Sequence, residues 1–512
     1  MKKGMAAFTV TTMLAGLLAA CGGDGGDAGG AKTGEASGEG GGTSKPAAKT
    51  TLTMLVGAQS NWTYAKDKPI WKAIEEKTNV EITGTVPPGD NYNEAVNLTI
   101  ATGNMPDLMF MSSFVTANKY GQQGALANIM EHLDSMPNFK SWLAKYPELK
   151  ERYTSSEGKM FMFPNEGFGQ GERISWMYRD DIFKKHNLTL PNSYDELYET
   201  LKKLKQLYPD SYPFVTRGAF GTISRMAPQF NTYNDTYYDF DKKEWRYGPI
   251  EDNYKKLVVF LNRLYKEGLM PPDWLTVKGK QFDDFIANNK SFVFLDYMVM
   301  DYYNVPLRKD NPQFSMLFMP PPAGFAGANR HNININTVDS GMTVASTSKK
   351  IKEAMKYMDF FYSEAGRELS SWGIKGVTYE EANGKKKYLD AFKTMSDLRE
   401  KPGLLNYGTY TWIDYSALLT LTSKETTDAY AAIGKYDSKL QPKPPFTEKE
   451  NDVLTTIGQS VLKHREENIT KFILGDKGMD QWDAYVSESK KLGLDQVIKV
   501  YKDAYDRVLK AK

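Results

Sequence analysis

Cysteine and histidine are nearly absent from this chain. In 512 residues, cysteine occurs once, at position 21, and histidine occurs four times. A single cysteine cannot form a disulfide within the chain, so the folded part has to be stabilised by its hydrophobic core alone. The four histidines are not spaced like the ligands of a metal ion, and no cysteine can join them. We therefore expect neither a metal site nor a cofactor.

A charge excess and a long apolar run are also lacking. The 65 basic and 63 acidic residues give a formal net charge of +2, which indicates neither a nucleic-acid partner nor a basic membrane-binding face. A transmembrane helix needs about 20 predominantly apolar residues, and no segment of the chain is apolar over that length. We therefore expect no nucleic-acid partner and no membrane-spanning helix.

Motifs for catalysis are equally scarce. The chain has no G-x-S-x-G nucleophile elbow, and its glycine-rich segment Gly167–Gly171 lacks the lysine and the hydroxyl residue of a phosphate-binding P-loop. Adjacent acidic residues such as Asp283 and Asp284 occur, but a glycosidase can draw its two carboxylates from distant positions. The spacing of acidic residues therefore neither supports nor excludes an enzyme.

The N-terminus is typical of an exported protein. Two lysines precede the uncharged stretch Met5–Ala20, which is too short to span a bilayer and has the plan of a secretory signal peptide. Leu18–Cys21 (LAAC) resembles the lipobox of bacterial lipoproteins, which are cut before a cysteine whose sulfur carries a lipid. We therefore predict a signal peptide over residues 1–20, a lipidated Cys21, and an anchor on the extracytoplasmic face of the cell membrane. The alternative is an ordinary signal peptide with a chance cysteine.

The composition changes sharply after the cysteine. Residues 21–50 are mostly Gly, Ala, Ser, Thr and Lys, which predicts a flexible tether with almost nothing to bury. From Thr51 onward roughly 460 residues remain, which is too many for one ordinary core and suits two domains.

Strand and helix patterns alternate along this body. The short apolar runs Leu52–Val56, Val80–Val86 and Pro106–Met111 are separated by helical patterns that begin at Pro69 and Tyr92. Such alternation predicts a parallel sheet with helices on its faces. A second block of the same kind follows, so we predict an α/β protein with two lobes joined by several chain crossings. Ligands of open α/β sheets bind outside the carboxyl ends of the strands, and two such lobes can close on a ligand by a hinge motion.

Several stretches, in a shared order, resemble the family-1 extracellular solute-binding proteins, which are the lipid-anchored substrate receptors of bacterial ABC sugar importers. Besides the lipobox, they include ATGNMPD (101–107), YRDD (178–181), LNRLYKEGL (261–269) and WGIKGVTY (372–379). The resemblance implies the type II periplasmic-binding-protein fold, with hinge-connected lobes and a sugar held in a central cleft.

The resemblance also implies how the chain is divided. By analogy, lobe 1 comprises residues 51–163 and 335–410, and lobe 2 comprises residues 164–334 and 411–512. Some relatives carry a calcium loop after the helix that begins here at Ser193. This chain has LYPDSYPF in that place, so we do not predict a calcium ion.

Polar and aromatic residues after strands are the candidate ligand contacts. A sugar presents hydroxyls to planar polar groups and a C–H face to aromatic rings, and aromatic residues make up 13% of the chain. The candidates are Asn61, Trp62, Ser112, Ser113, Glu172, Arg225, Asp296, Tyr297, Trp372 and Trp412. Glu172 and Tyr297 rest on the family resemblance, and the two last tryptophans are candidate lids. The alternative is core packing for each tryptophan, and a capping or surface role for Asn61, Asp296 and Arg225.

Together these patterns favour a binding protein over an enzyme. We predict a monomer that captures an oligosaccharide or sugar derivative between its lobes and delivers it to an ABC transporter permease. Two alternatives remain open at this point. One is a lipid-anchored polysaccharide-degrading enzyme, and the other is a receptor for a peptide or another non-sugar solute.

Overall fold

A computed structural model describes residues 48–57, 64–87, 92–165, 173–334, 338–405 and 411–511. The strands are β1 (Thr50–Leu55), β2 (Val80–Thr85), β3 (Leu108–Met111), β4 (Phe163–Asn165), β5 (Ile174–Arg179), β6 (Phe214–Val215), β7 (Thr236–Asp239), β8 (Glu244–Tyr247), β9 (Val293–Tyr297), β10 (Met316–Met319), β11 (Val338–Val344), β12 (Tyr379–Ala382) and β13 (Lys385–Tyr388).

The helices connect and cover these strands. They are α1 (Pro69–Thr78), α2 (Tyr92–Ala101), α3 (Phe114–Gln122), α4 (Pro137–Lys145), α5 (Pro147–Tyr153), α6 (Asp180–Lys185), α7 (Tyr194–Leu207), α8 (Phe220–Met226), α9 (Asp252–Lys266), α10 (Gly279–Ala287), α11 (Met300–Asp310), α12 (Ile351–Phe360), α13 (Glu364–Ser371), α14 (Met395–Glu400), α15 (Tyr415–Leu419), α16 (Lys424–Ile433), α17 (Glu448–Leu474), α18 (Trp482–Lys491) and α19 (Leu494–Ala511). None of the helices in the described part of the chain has the length and apolar character that spanning a bilayer requires.

The first sheet has the strand order β2-β1-β3-β11-β4. β1 is parallel to β2 and β3, as the alternation of strands and helices predicts, but β11 is antiparallel to both β3 and β4. The parallel pairing predicted for β1, β2 and β3 is therefore confirmed. β11 runs in the opposite direction because it follows the strands of the second sheet in sequence and does not enter through a β-α-β crossover.

The second sheet has the order β10-β5-β9-β6. β6 and β9 are parallel, and β5 is antiparallel to its neighbours β9 and β10. Both faces are covered. Trp176 and Leu295 pack into core 2 on one face, whereas Met177 and Phe294, one residue away in each strand, pack into core 3 on the other. This alternation follows from the two-residue period of a strand.

Helix ends follow the local sequence signals. Ser193 caps α7 by accepting a hydrogen bond from the N–H of Glu196 at 3.2 Å. Ser193 and Glu196 have the spacing of a capping box, which predicts that the Glu196 carboxylate accepts from the N–H of Ser193. It accepts instead from the N–H of Asn192, one residue earlier, at 2.7 Å. Both bonds still satisfy N–H groups near the helix start. Helix α9 has its apolar stripe in core 2 and ends just before Gly268, whose positive φ of 64° suits glycine.

The chain leaves the first sheet after β4 and enters the second sheet at β5. It is in the first sheet again at β11. The apolar cluster around the first sheet, core 1, extends as far along the chain as Leu418, whereas Ala429 packs in core 3 against the second sheet. The division of the chain into two lobes, with its last boundary at residue 410, stays a prediction.

Candidate functional site

Strand directions define one edge of each sheet where a ligand can be expected. The first edge consists of the carboxyl ends of β1 to β4 with the start of β11. The second edge consists of the carboxyl ends of β6, β9 and β10 with the start of β5. Ligands of open α/β sheets bind outside the carboxyl ends of the strands, where loops and helix starts present polar groups.

A buried carboxylate lies at the centre of the second edge. Asp296, near the end of β9, has no solvent-exposed surface. Its Oδ2 accepts from Nε of Arg217 at 2.5 Å, and its Oδ1 accepts from Nη1 of Arg225 at 3.2 Å and from the backbone N–H of Tyr297 at 2.7 Å. A buried charge is tolerated when it is paired and hydrogen-bonded in this way. The predicted residues Arg225, Asp296 and Tyr297 are thus brought together.

Arg217 was missing from the sequence prediction. The sequence pattern predicts a strand over Pro213–Thr216 followed by a polar loop that contains Arg225. Arg217 directly follows that strand, so the rule of examining residues after strands could have identified it. The loop prediction was wrong for Arg225, which lies in helix α8 and donates from Nη1 to the carbonyl of Leu295 in β9. Its guanidinium lies 5.4 Å from the centre of the Tyr297 ring, within the range of a cation–π contact.

The electrostatics keep Arg217 charged. Burial alone would lower its pKa, but the charge of Asp296 and the hydrogen bond to it have the greater combined effect, and the pKa is raised above its ordinary value. The side chain nevertheless keeps 38% of its surface exposed, compared with 14% for Arg225. A fixed and partly exposed guanidinium at this edge can donate hydrogen bonds to a ligand.

Other charged groups around the second edge are already bonded. Arg173, just before β5, forms an ion pair with Asp437. Asp283 accepts from the hydroxyls of Tyr303 at 2.5 Å and Tyr302 at 3.1 Å. The second edge therefore combines three arginines with three carboxylates, each of which already accepts hydrogen bonds from neighbouring side chains.

The first edge carries neutral polar groups. Ser112 directly follows β3, is exposed, and donates to the Oδ1 of Asn93 at 2.6 Å. The Tyr92 hydroxyl contacts the backbone carbonyls of Leu55 and Phe110 at 3.1 and 2.8 Å. These contacts place a hydroxyl and an amide side by side beyond β3.

Ser113 has a different role from its neighbour. It is the N-cap of α3, and its Oγ accepts from the backbone N–H of Thr116 at 3.4 Å. This contact favours a capping role, as N-cap serines commonly have. A ligand contact through Ser113 remains a prediction without structural support.

The two described candidate tryptophans pack in core 1. Trp372 is 5% exposed, donates from Nε1 to Asp414 at 3.2 Å, and lies against the ring of Tyr388. Trp412 is 6% exposed and lies beside the Arg367 guanidinium, 4.8 Å from the ring centre. Rings with so little free surface have little area to offer a sugar, so the structure favours the alternative of core packing for both.

The remaining predicted residues lie outside the described part of the chain. They are Cys21, Asn61, Trp62 and Glu172. Within the described ranges, no three His, Cys, Asp or Glu side chains are grouped so that they could hold a metal ion.

A surface cavity of about 290 Å³ lies away from both edges. Its lining includes Leu126, Asn128 and His132. Leu126 bridges to Ala345, which follows the last residue of β11. The cavity therefore lies toward the amino end of β3, at the side of the first sheet opposite to the first edge.

The chain was compared with families and curated proteins. The model of the family described as bacterial extracellular solute-binding protein matches residues 59–368. The polygalacturonan/rhamnogalacturonan-binding protein YtcQ of Bacillus subtilis (strain 168) is 22% identical over an alignment of 464 residues, and the match covers 86% of this chain and 88% of YtcQ. Lipoprotein LipO of the same strain is 23% identical over 66% of this chain and 69% of LipO.

Solved structures show a similar fold. The alginate-binding protein AlgQ2, in a crystal structure without calcium ion, matches with a TM-score of 0.80 and 24% identity, over 90% of this chain and all of that one. The S. pneumoniae ABC-transporter substrate-binding protein FusA, in complex with kestose, matches with a TM-score of 0.74 and 20% identity, also over 90% and 100%. The predicted two-lobe α/β fold with a central cleft is confirmed.

Proposed function

The chain belongs to the bacterial extracellular solute-binding proteins, and from this premise we propose that it captures an oligosaccharide or sugar derivative between its lobes and delivers it to the permease of an ABC importer. Lobe 1 carries the first edge and lobe 2 the second edge. The names of the relatives support a carbohydrate, since they include proteins that bind pectic polymers and alginate as well as a structure with kestose.

The Arg217–Asp296–Arg225 network is the observation that carries the proposal. It lies at the end of parallel strands, where this class of fold binds ligands. It presents planar guanidinium groups, with the ring of Tyr297 below one of them. Planar donors and aromatic rings are the groups that hold sugar hydroxyls and C–H faces. Ser112 and Asn93 supply the neutral counterpart on the first edge.

Binding without turnover fits this arrangement. Asp296 is inaccessible and has a donor on each oxygen, so it cannot act on a glycosidic bond as a general acid or nucleophile, which must reach the reacting atoms. We therefore include the absence of catalysis in the proposal.

A thermal-shift screen tests the proposal. The mature body would be melted with neutral and acidic oligosaccharides and with peptides, and a ligand at 100 times its Kd should stabilise the protein by about 2.7 kcal/mol. We expect carbohydrates to raise the melting temperature and to be recovered intact. A response to peptides alone would overturn the sugar assignment, and release of shorter sugars would overturn the binding-only assignment.

We also propose that Cys21 is lipidated and anchors a monomer to the outer face of the membrane. The lipobox-like LAAC sequence supports this, as does the likeness to a lipoprotein. In Cys21→Ser the protein should be found in the medium or as an uncleaved precursor, and the purified body should bind ligand as before. Retention of the processed variant in the membrane fraction would contradict the anchor.

A further inference from the structure

The two arginines of the second edge do not use all their hydrogen-bond donors on described residues. A guanidinium has five N–H groups and no acceptor. Arg217 donates to Asp296 from Nε and, over a longer distance of 3.5 Å, from Nη2. No described residue accepts from its Nη1. Arg225 donates from Nη1 to Asp296 and to the carbonyl of Leu295. Nothing in the described ranges accepts from its Nε or Nη2. Both side chains therefore retain N–H groups for a ligand.

The carboxylates at this edge are not available in the same way. Asp296 has no exposed surface and has donors on both oxygens. Asp283 is bonded to two tyrosine hydroxyls, and Asp437 is paired with Arg173. A neutral sugar hydroxyl can accept from a guanidinium through its single oxygen. A carboxylate only accepts, and its two oxygens match the fork of a guanidinium.

We propose that Arg217 and Arg225 bind the carboxylate of an acidic sugar, so that the ligand is an oligosaccharide containing uronic acid. Asp296 is then a positioning residue, because it fixes both guanidinium groups without touching the ligand. The three arginines and three aspartates of the second edge balance in formal charge, so the two unfilled guanidinium forks, and not a net positive charge, carry the inference. This inference rests on the proposed function, since it names the class of sugar that the same site selects.

Arg217 is the residue on which to test the inference. It is the more exposed of the two arginines, and Asp296 keeps Arg225 and the backbone N–H of Tyr297 as partners when Arg217 is replaced, so the variant should fold with reduced stability. Isothermal titration calorimetry would compare the trimers of galacturonate and of mannuronate with their methyl esters, which keep the size and remove the charge. We expect an acid trimer to bind wild type about 10- to 100-fold more tightly than its ester, which is the range for hydrogen bonds to a charged group.

In Arg217→Gln this preference should be lost because acid binding weakens, while the Kd of the ester changes by less than about twofold. Arg217→Lys keeps the charge without the fork, so it should retain only part of the preference. Arg308→Gln is the matched control. Arg308 is 33% exposed and pairs with Glu425, but it bonds Phe314, before β10, at the opposite end of the strands. The melting temperature of the Arg308→Gln variant also serves as the reference for the stability of Arg217→Gln.

Three results separate the possible failures. Equal affinity for acids and esters, or an equal effect of Arg217→Gln on both, would overturn the acidic-sugar inference and leave the proposed function standing. Binding of a neutral trimer such as maltotriose without binding of either acid would do the same. Binding of peptides with no response to any sugar would overturn the proposed function, and the inference with it.

Discussion

The two edges differ in how their polar groups are held. On the second edge, the fully buried Asp296 accepts hydrogen bonds from Arg217 and Arg225. This buried carboxylate fixes the position of both guanidinium groups and keeps them charged. On the first edge, the exposed Ser112 meets Asn93 in a single neutral contact. A buried charge has to be bonded in one arrangement, whereas an exposed hydroxyl can exchange its partner for water or a ligand at little cost. Under the proposed function, we therefore expect selection at the second edge and adaptable contacts at the first.

Removing the buried carboxylate should break the comparison most strongly. In Asp296→Ala, the two guanidinium groups lose their shared partner, and Arg225 is left largely buried. Loss of one partner from a buried ion pair typically costs about 3–5 kcal/mol. Because Arg217 is partly exposed and water can reach it, we expect a loss of about 2–4 kcal/mol in the free energy of unfolding. Urea denaturation at neutral pH measures it.

Asp296→Asn is the control for shape, since it keeps an acceptor oxygen and should be less destabilised than Asp296→Ala. Both variants should lose the preference for acid over ester, because the guanidinium groups are no longer held. A loss below about 1 kcal/mol in Asp296→Ala, as small as that of a surface ion pair, would contradict the view that the second edge is organised from below.

How far the sequence predicts this arrangement differs between the levels of structure. The positions of β1 and β3 follow from apolar runs, because these are local signals, although β1 begins two residues earlier and β3 two residues later than predicted. The direction of β11 is set by long-range topology, which no local pattern encodes. Position at the end of a predicted strand pointed to Asp296, and the family resemblance pointed to Tyr297.

The same rule did not reveal the full charge network or the role of the tryptophans. The bond between Arg217 and Asp296 joins residues 79 positions apart, so the sequence gives no sign of the pairing. Trp372 and Trp412 fit either stacking or packing by type alone. Only their burial in core 1 distinguishes the two roles.

The first sheet also has a hydrogen-bonded carboxylate, Asp107. It lies at the amino end of β3, away from the first edge, so it can be compared with Asp296 as a carboxylate that is bonded but not at a ligand edge. Its oxygens accept from the N–H and hydroxyl of Thr53, both at 2.8 Å, and from Ser348 at 2.5 Å. Burial would raise the pKa of Asp107, but these hydrogen bonds and the charge of Lys350 outweigh it, so the pKa lies below the ordinary value of 3.8. A lowered folded-state pKa stabilises the protein above the unfolded pKa, and this stabilisation is lost as the pH falls toward the folded value.

Asp107→Asn should therefore cost about 1–2 kcal/mol at pH 7, and the difference from wild type should shrink as the pH falls below about 4. Urea denaturation at both pH values checks it, and Ser348→Ala, which removes one of the bonds, should show the same trend with a smaller size. Sugar affinity at pH 7 should stay within about twofold of wild type, in contrast to Asp296→Asn. A difference that grows on acidification would show that the pKa is raised instead.

The smallest effect is expected at the first edge, and it tests whether the edges divide their work. Ser112→Ala removes one exposed hydrogen bond, so the free energy of unfolding should change by no more than about 0.5 kcal/mol. If Ser112 contacts ring hydroxyls, the affinities for acid and ester should fall together by about two- to tenfold. Ser113→Ala should instead lower stability by about 0.5–2 kcal/mol through loss of the α3 cap, with affinity unchanged. Calorimetry with both forms of the trimer decides the matter. A selective loss of acid binding in Ser112→Ala would place carboxylate recognition on the first edge as well, because a contact with ring hydroxyls cannot distinguish an acid from its ester.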